Sequence, residues 1–374
     1  MIIAQAAVLD RSGAERPYRL SRPITVSEIT LDPPGPSEVL LRIEAAGVCH
    51  SDLSVVDGSR PRALPLVLGH EAAGIVEAIG AEVEAELLGR RVVTTFLPRC
   101  GECAACATQG RLPCSPGAAA NGAGTLISGA RRARRDGMTL HHHLGVSAFA
   151  TRAIVDARSV VAVSHDTPPD IAAVLGCAVL TGGGALLNTA APPTGATVAV
   201  VGLGGVGLAA LLVARALAIS RPIAIDRLSA KRSVAMMLGG RIARSPEGSG
   251  AAGRRAAVTA GGAWHPARPV KAGPVTAPGG TVVTVGLPSP SSTATIHPLL
   301  LTAEAREIKG CYMGASIPSR DIPRYEAWWR EGRLPVEKLI SSYVALSDIN
   351  DAMDRLADGS EIRQVIRFPL EEAT

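Results

Sequence analysis

Thr197-Val198-Ala199-Val200-Val201-Gly202-Leu203-Gly204-Gly205-Val206-Gly207 is the stretch that decides the fold. Its first five residues form an apolar run without polar alternation, as in a parallel strand buried on both faces. Gly202, Gly204 and Gly207 then fit G-x-G-x-x-G and open a helix expected over Leu208 to Ile219. Ile223-Ala224-Ile225 reads as the next strand, ending at Asp226, which completes a βαβ unit. Strand, glycine turn, helix and acidic residue in that order make a dinucleotide-binding fingerprint. Gly202 permits the tight turn, and Gly207 lets helix and strand pack closely. Gly204 lets a pyrophosphate approach the amides of the helix N-terminus, and Gly205 lies in the same turn. Asp226 would accept from the adenosine ribose hydroxyls and repel a 2′-phosphate, which favours NAD over NADP.

Toward the N-terminus the texture differs. Val26-Ser27-Glu28-Ile29, the turn Pro33-Pro34-Gly35-Pro36 and Glu38 to Ile43 read as short antiparallel strands joined by that turn. Gly74 to Gly80 and Arg91 to Thr95 continue the pattern, so the first part is expected to be β-rich and barrel-like. Near residue 170 helices begin, with Asp170 a candidate N-cap after Pro168-Pro169. Toward the C-terminus, Thr281 to Gly286 reads as a buried strand and Ile349 to Ala357 as an amphipathic helix. Residues 244–280 are rich in Gly, Ala, Pro and Arg, and no strand is recognisable between Gly240 and Gly279.

The cysteines carry the second chemical signal. Cys100, Cys103, Cys106 and Cys114 have the spacing of a structural zinc loop whose four thiolates leave no open position. Cys49-His50-Ser51-Asp52, Gly69-His70-Glu71 and Gly176-Cys177 offer a different set. If Cys49, His70 and Cys177 converge, three protein ligands leave one coordination position free, the arrangement of a catalytic zinc. With Cys311 the count is seven, odd and clustered, which argues for reduced thiols rather than a disulfide framework.

Composition bounds the rest. The 374 residues are enough for two domains, and with only 3% aromatics the cores must be built from Ala, Val, Leu and Ile. The formal charge is +5, almost all from Arg, since Lys occurs only at 231, 271, 309 and 338. Arg131-Arg132-Ala133-Arg134-Arg135 has no interleaved aromatics, so it reads as a solvated loop and no nucleic-acid partner is expected. His141-His142-His143 reads as a loop with one pocket contact. No apolar run is expected to be long enough to cross a bilayer, and the opening Met1-Ile2-Ile3-Ala4-Gln5 lacks a basic head and cleavage site. A cytoplasmic location is therefore expected.

These motifs, in this order, resemble the zinc-dependent medium-chain alcohol dehydrogenases, near the class III-like bacterial branch. The matching stretches are Gly47 to Leu53, Gly69 to Gly74, the four-cysteine loop, Gly176 to Gly182, the glycine fingerprint and Gly310 onward. The resemblance implies an α/β fold. A Rossmann-type doubly wound parallel sheet, residues 179–315, is inserted into a β-rich GroES-like catalytic domain, residues 1–178 and 316–374. It implies two zinc ions per subunit, NAD, an alcohol or aldehyde substrate, and a homodimer or homotetramer joined through strand edges near Lys309 to Gly314. Asp52 would fix the ring of His70, Glu71 would lie behind the metal, and Ser51 would begin a proton relay. In some members a His three residues on ends that relay; here the position is Ser54. His50 and Arg363 would meet the pyrophosphate, Thr181 and Val206 would back the nicotinamide, and Lys231 would lie near the adenosine ribose. Phe96 and His143-Leu144 would line the substrate pocket. Two other readings are a dehydrogenase of a thiol–formaldehyde adduct and a zinc-bearing homologue that has lost turnover because residues 244–278 no longer hold cofactor.

Overall fold

The computed structural model describes residues 1–219, 222–240, 242–244, 256–261, 276–288, 290, 292–294 and 296–369. The chain divides into two compact units. The first comprises Met1–Thr108, Pro113–Cys177 and Ile340–Thr374, and the second Gln109–Leu112 and Ala178–Leu339.

In the first unit the 11-residue strand Glu38–Val48 is central. It pairs antiparallel with Ala72–Ile79, Arg152–Asp156 and Gln364–Arg367. Its side chains, apart from Arg42, are buried, and Val39, Leu41, Ile43, Ala46 and Val48 enter the larger apolar core. The register opposes Val48 to Gln364 and Ala46 to Ala72. Cys49, Glu71 and Arg363 therefore leave three adjacent strands at the same end of the sheet. The other sheet runs, in spatial order, Met138–Thr139, Ala133–Arg135, Ile24–Leu31, Ile2–Leu9, Leu66–Val67 and His141–His142. The strands on either side of the Pro33–Pro36 turn were expected to pair with each other. They belong instead to different sheets. Three prolines in four residues suit an extended corner more than a hairpin, since proline fixes φ and lacks a donor.

The second unit contains a six-stranded sheet in which every pair is parallel. Its order is Ile242–Arg244, Ile223–Ile225, Val198–Val201, Ala256–Gly261, Thr276–Thr284 and Glu307–Gly310. This is the 3-2-1-4-5-6 order of the doubly wound dinucleotide fold, with the strand order reversing beside Val198–Val201. The helix Gly205–Ala216 begins at once after Gly204 and buries Leu208, Leu211, Leu212 and Val213. Ala256–Gly261 occupies the central place where no strand was recognisable. The prolines that argued against one, from Pro266 to Pro274, fall outside the described residues, as does most of 244–278.

The boundary expected at residue 316 lies instead between Leu339 and Ile340. The helix Pro318–Arg330 explains the shift. Its Tyr325 is fully buried, with the hydroxyl 2.6 Å from where a Cβ on Gly183 would sit. Asn188 Nδ2 lies 3.3 Å from Asp321 Oδ2, and Arg333 donates to the Ala216 carbonyl at 2.8 Å. Asp170 is also not the N-cap: that residue is Pro168, and the Asp170 carboxylate takes Tyr343 and Arg367 instead. Pro169–Ala190 forms 22 residues of helix, long and apolar enough to cross a bilayer, contrary to the sequence expectation. Yet 89% of its most apolar window is buried inside the protein, which marks a core helix.

Candidate active site

Glu38–Val48 delivers Cys49 as the residue that caps the short helix His50–Val56. Asp52, on the first turn of that helix, turns back so that Oδ2 accepts from the Cys49 amide at 3.1 Å. Its Oδ1 accepts from the Gly69 amide at 3.2 Å and lies 3.0 Å from His70 Nδ1. One buried carboxylate thus fastens both ligand segments. It also selects the His70 tautomer with hydrogen on Nδ1 and a lone pair on Nε2. That Nε2 lies 3.5 Å from Cys177 Sγ. Donor atoms of Cys49, His70, Glu71 and Cys177 all lie within 4.8 Å of one another, and all four residues are buried.

Glu71 reaches this cluster because Gly47 leaves room. A Cβ there would meet Glu71 Oε1 at 2.6 Å. On its other side Glu71 Oε2 lies 3.0 Å from Arg363 Nη1, which also donates to the Val48 carbonyl at 3.1 Å. Arg363, expected on a pyrophosphate, is here committed to Glu71 and 3% exposed. The sequence reading missed this pair, although Gln364 opposing Val48 in the sheet makes Arg363 a neighbour of the Cys49 segment.

The charges fit a dication. A hydrogen bond from Cys177 pulls the Cys49 thiol well below the usual range, with Arg363 and His70 assisting. The same bond, with burial, pushes Cys177 well above it. Without a metal the two sulfurs hold one proton between them; a cation of charge two would let both ionise. A tetrahedron with Zn–S about 2.3 Å and Zn–N about 2.05 Å has an N···S edge of about 3.6 Å, close to the His70–Cys177 separation. Burial pushes Glu71 up to about 7 despite Arg363. Burial works against Asp52 as well, but His70 and His143 hold it down to about 2.

Ser51 is half-buried, its Oγ 4.0 Å from Cys49 Sγ. Ser54 donates to the His50 and Ser51 carbonyls within its own helix, and His50 is exposed. Phe96 meets the His70 ring edge-on at 5.7 Å between centroids. The histidine run is not simply a loop: His141–His142 is a strand, and His143 is buried with Nε2 3.2 Å from Asp52 Oδ1. Arg132, Arg134 and Arg135 of the basic run pair with Glu38, Asp32 and Asp10.

The four-cysteine loop gathers as its spacing implies. Cys100, Cys103, Cys106 and Cys114 bring their sulfurs within 4.8 Å of one another, with Cys100 and Cys106 3.9 Å apart. A tetrathiolate zinc site has an S···S edge of about 3.8 Å. Backbone amides pull Cys103 down to about 6, while burial pushes Cys106 up to about 11. All seven cysteines are free thiols.

In the second unit each fingerprint glycine has its own reason. Gly202 has φ +85°, a Cβ on Gly207 would lie 1.8 Å from the Gly202 carbonyl, and Gly204 faces open space. Asp226 ties the loop to the next strand: its carboxylate accepts from the amides of Leu203 at 2.7 Å and Leu228 at 2.9 Å. Thr181 is buried, beside Gly182, which packs against Val206; Lys231 is half-buried on the helix Ser229–Met237.

Comparison with known proteins agrees with this geometry. Residues 35–165 match the alcohol dehydrogenase GroES-like domain family. Geraniol dehydrogenase of Castellaniella defragrans is 36% identical, with 98% of each chain covered. An alcohol dehydrogenase zinc-binding domain protein from Burkholderia ambifaria superposes with a TM-score of 0.90 at 30% identity, over 99% of this chain and 100% of that one. Benzyl alcohol dehydrogenase from Acinetobacter calcoaceticus gives 0.88 at 27%, with the same coverage. With its cysteine and histidine sets gathered and the similarity running through both units, the chain belongs to the zinc-dependent medium-chain alcohol dehydrogenases.

Proposed function

We propose that this protein is a zinc-dependent alcohol dehydrogenase that uses NAD and acts on primary allylic or benzylic alcohols, or on their aldehydes in reverse. The observation that carries the reading is the buried convergence of Cys49, His70 and Cys177 with Glu71. Zinc held by Cys49, His70 and Cys177 would act as a Lewis acid that lowers the pKa of an alcohol. NAD on the second unit would supply the hydride acceptor.

The chain's own residues do the rest. Asp52 fixes the His70 ring and its tautomer. Arg363 balances Glu71, as the two thiolates would balance zinc once both are ionised. Ser51, two residues after Cys49 in the chain, takes the alcohol proton. The fingerprint amides and the N-terminus of Gly205–Ala216 hold a pyrophosphate, and Asp226 favours NAD. Cys100, Cys103, Cys106 and Cys114 hold a second zinc that organises their loop. The substrate class rests on the relatives, which are named for geraniol and benzyl alcohol.

The test combines elemental analysis with an NADH absorbance assay. Two zinc per chain are expected, with turnover of geraniol or benzyl alcohol and no requirement for a thiol cofactor. A single zinc, confined to the four-cysteine loop in folded protein, refutes the reading.

A further inference from the structure

We infer that His143 is a positioning residue of the metal site, a second imidazole that holds Asp52 so that Asp52 can hold His70. This rests on the proposed metal centre. Asp52 is fully buried, so its charge must be met by the polar groups around it. Three come from the ligand segments themselves: the Cys49 amide at 3.1 Å, the Gly69 amide at 3.2 Å and His70 Nδ1 at 3.0 Å. His143 Nε2, 3.2 Å from Oδ1, is the fourth neighbour. Among the described residues it is the one contact that ties Asp52 to a segment carrying no ligand.

His143 is itself well fastened. Its amide donates to Ser147 Oγ at 2.9 Å, and its carbonyl accepts from the amides of Val146 and Ser147. Its ring stands edge-on to His70, 5.5 Å between centroids at 81°, so it bears on His70 directly as well as through Asp52. With Nε2 toward Asp52, the hydrogen belongs on Nε2. Neither ring nitrogen makes an aligned hydrogen bond among the described residues, so Nε2 bears on Oδ1 as a close N–H dipole at 3.2 Å, and Nδ1 is left as a lone pair.

The two contacts can be separated. His143→Phe keeps a flat ring against His70 and removes the nitrogen facing Asp52. His143→Gln restores an N–H that can reach the same oxygen. The experiment uses the zinc-loaded enzyme, challenged with excess chelator, and reads metal release with a chromogenic indicator. In H143F, release from the catalytic site should be about ten-fold faster, the low end of what outer-shell partners contribute. Release from the four-cysteine site should not change. H143Q should recover to within about three-fold of wild type. With cobalt replacing zinc, the visible absorption of H143F should shift and that of H143Q should return.

Wild-type release rates and an unshifted cobalt spectrum in H143F overturn the inference, as does H143Q failing as badly as H143F. If H143F does not fold, His143→Met against H143Q gives the same contrast. A wild-type protein with a single zinc would instead overturn the metal-centre reading, and this inference with it.

Discussion

Replacing Arg363 by Met should destabilise the metal-free protein by an amount that grows with pH. Arg363 is the cation beside Glu71, 3.0 Å from Oε2, and both side chains are buried. Glu71 stands at about 7 against its ordinary 4.5, with burial raising it and Arg363 the largest influence lowering it. A carboxyl raised in the folded state costs nothing below its unfolded value. Above its folded value it costs about 1.36 kcal/mol for each pKa unit of difference. In the wild type that is about 3 kcal/mol above pH 7, lost progressively as the pH rises from about 4.5. Without Arg363 the Glu71 value climbs further, so the loss continues past pH 7. Breaking a buried pair by removing one partner costs about 3–5 kcal/mol when the survivor stays charged. At pH 5 Glu71 is neutral, and what remains is the bond to the Val48 carbonyl, about 1 kcal/mol, together with Arg363's pull on the Cys49 thiol, which is lost at both pH values. Scanning calorimetry of chelator-treated, reduced protein at pH 5 and pH 8 checks this, comparing variant with wild type so that shared titrations cancel. An equal loss at both pH values, or a larger one at pH 5, would refute the reasoning.

Three further perturbations address other parts of the molecule. Cys100→Ser should remove one of two zinc equivalents and lower the melting temperature while the catalytic zinc stays, as read by elemental analysis and calorimetry. Gly207→Ala puts a Cβ 1.8 Å from the Gly202 carbonyl, so the helix start must move. NAD affinity should fall at least about ten-fold, and stability by about 1–3 kcal/mol, with zinc content unchanged; titration calorimetry and melting decide. Glu307–Gly310 is an exposed edge strand with Ile308 49% exposed, the kind of edge that pairs with a second copy. We propose pairing of two copies through this edge, so Ile308→Glu should lower the sedimenting mass to that of a single chain, and an unchanged mass would refute pairing there.

How far the sequence was legible follows from how local each signal is. The fingerprint could be read because strand, turn, helix and Asp226 lie within 30 residues and each glycine answers a local steric demand. The four-cysteine loop was legible for the same reason. The catalytic set needed a resemblance, since Cys49, His70 and Cys177 are 21 and 107 residues apart and only the folded chain, two strand ends and a helix, brings them together. Arg363 on Glu71 and His143 on Asp52 were not read, because they depend on strand register and on a turn, with the partners 292 and 91 residues apart. The central strand Ala256–Gly261 was missed for a different reason: Ala-Ala-Val-Thr-Ala-Gly carries little side-chain signal, and a strand held by two parallel neighbours needs little.

The two carboxylates on either side of His70 show why both neighbours matter. They are nearly adjacent in the site and equally buried, yet Asp52 stands at about 2 and Glu71 at about 7. Burial raises both, so it cannot separate them. What differs is the donor count. Asp52 has two backbone amides and two imidazoles within 3.2 Å, whereas Glu71 has one guanidinium, shared with a carbonyl. Asp52 is therefore charged at every pH at which the protein works and can orient His70 without taking up a proton. Glu71 is the carboxyl whose charge responds to its surroundings, and a cation arriving beside it would drive off its proton. Zinc uptake by this site should accordingly release more protons at pH 6 than at pH 8, in excess of those from the cysteines and His70. In Glu71→Gln that excess should vanish, which titration calorimetry in buffers of different ionisation enthalpy can measure; an excess that persists in the variant would assign the proton to another group.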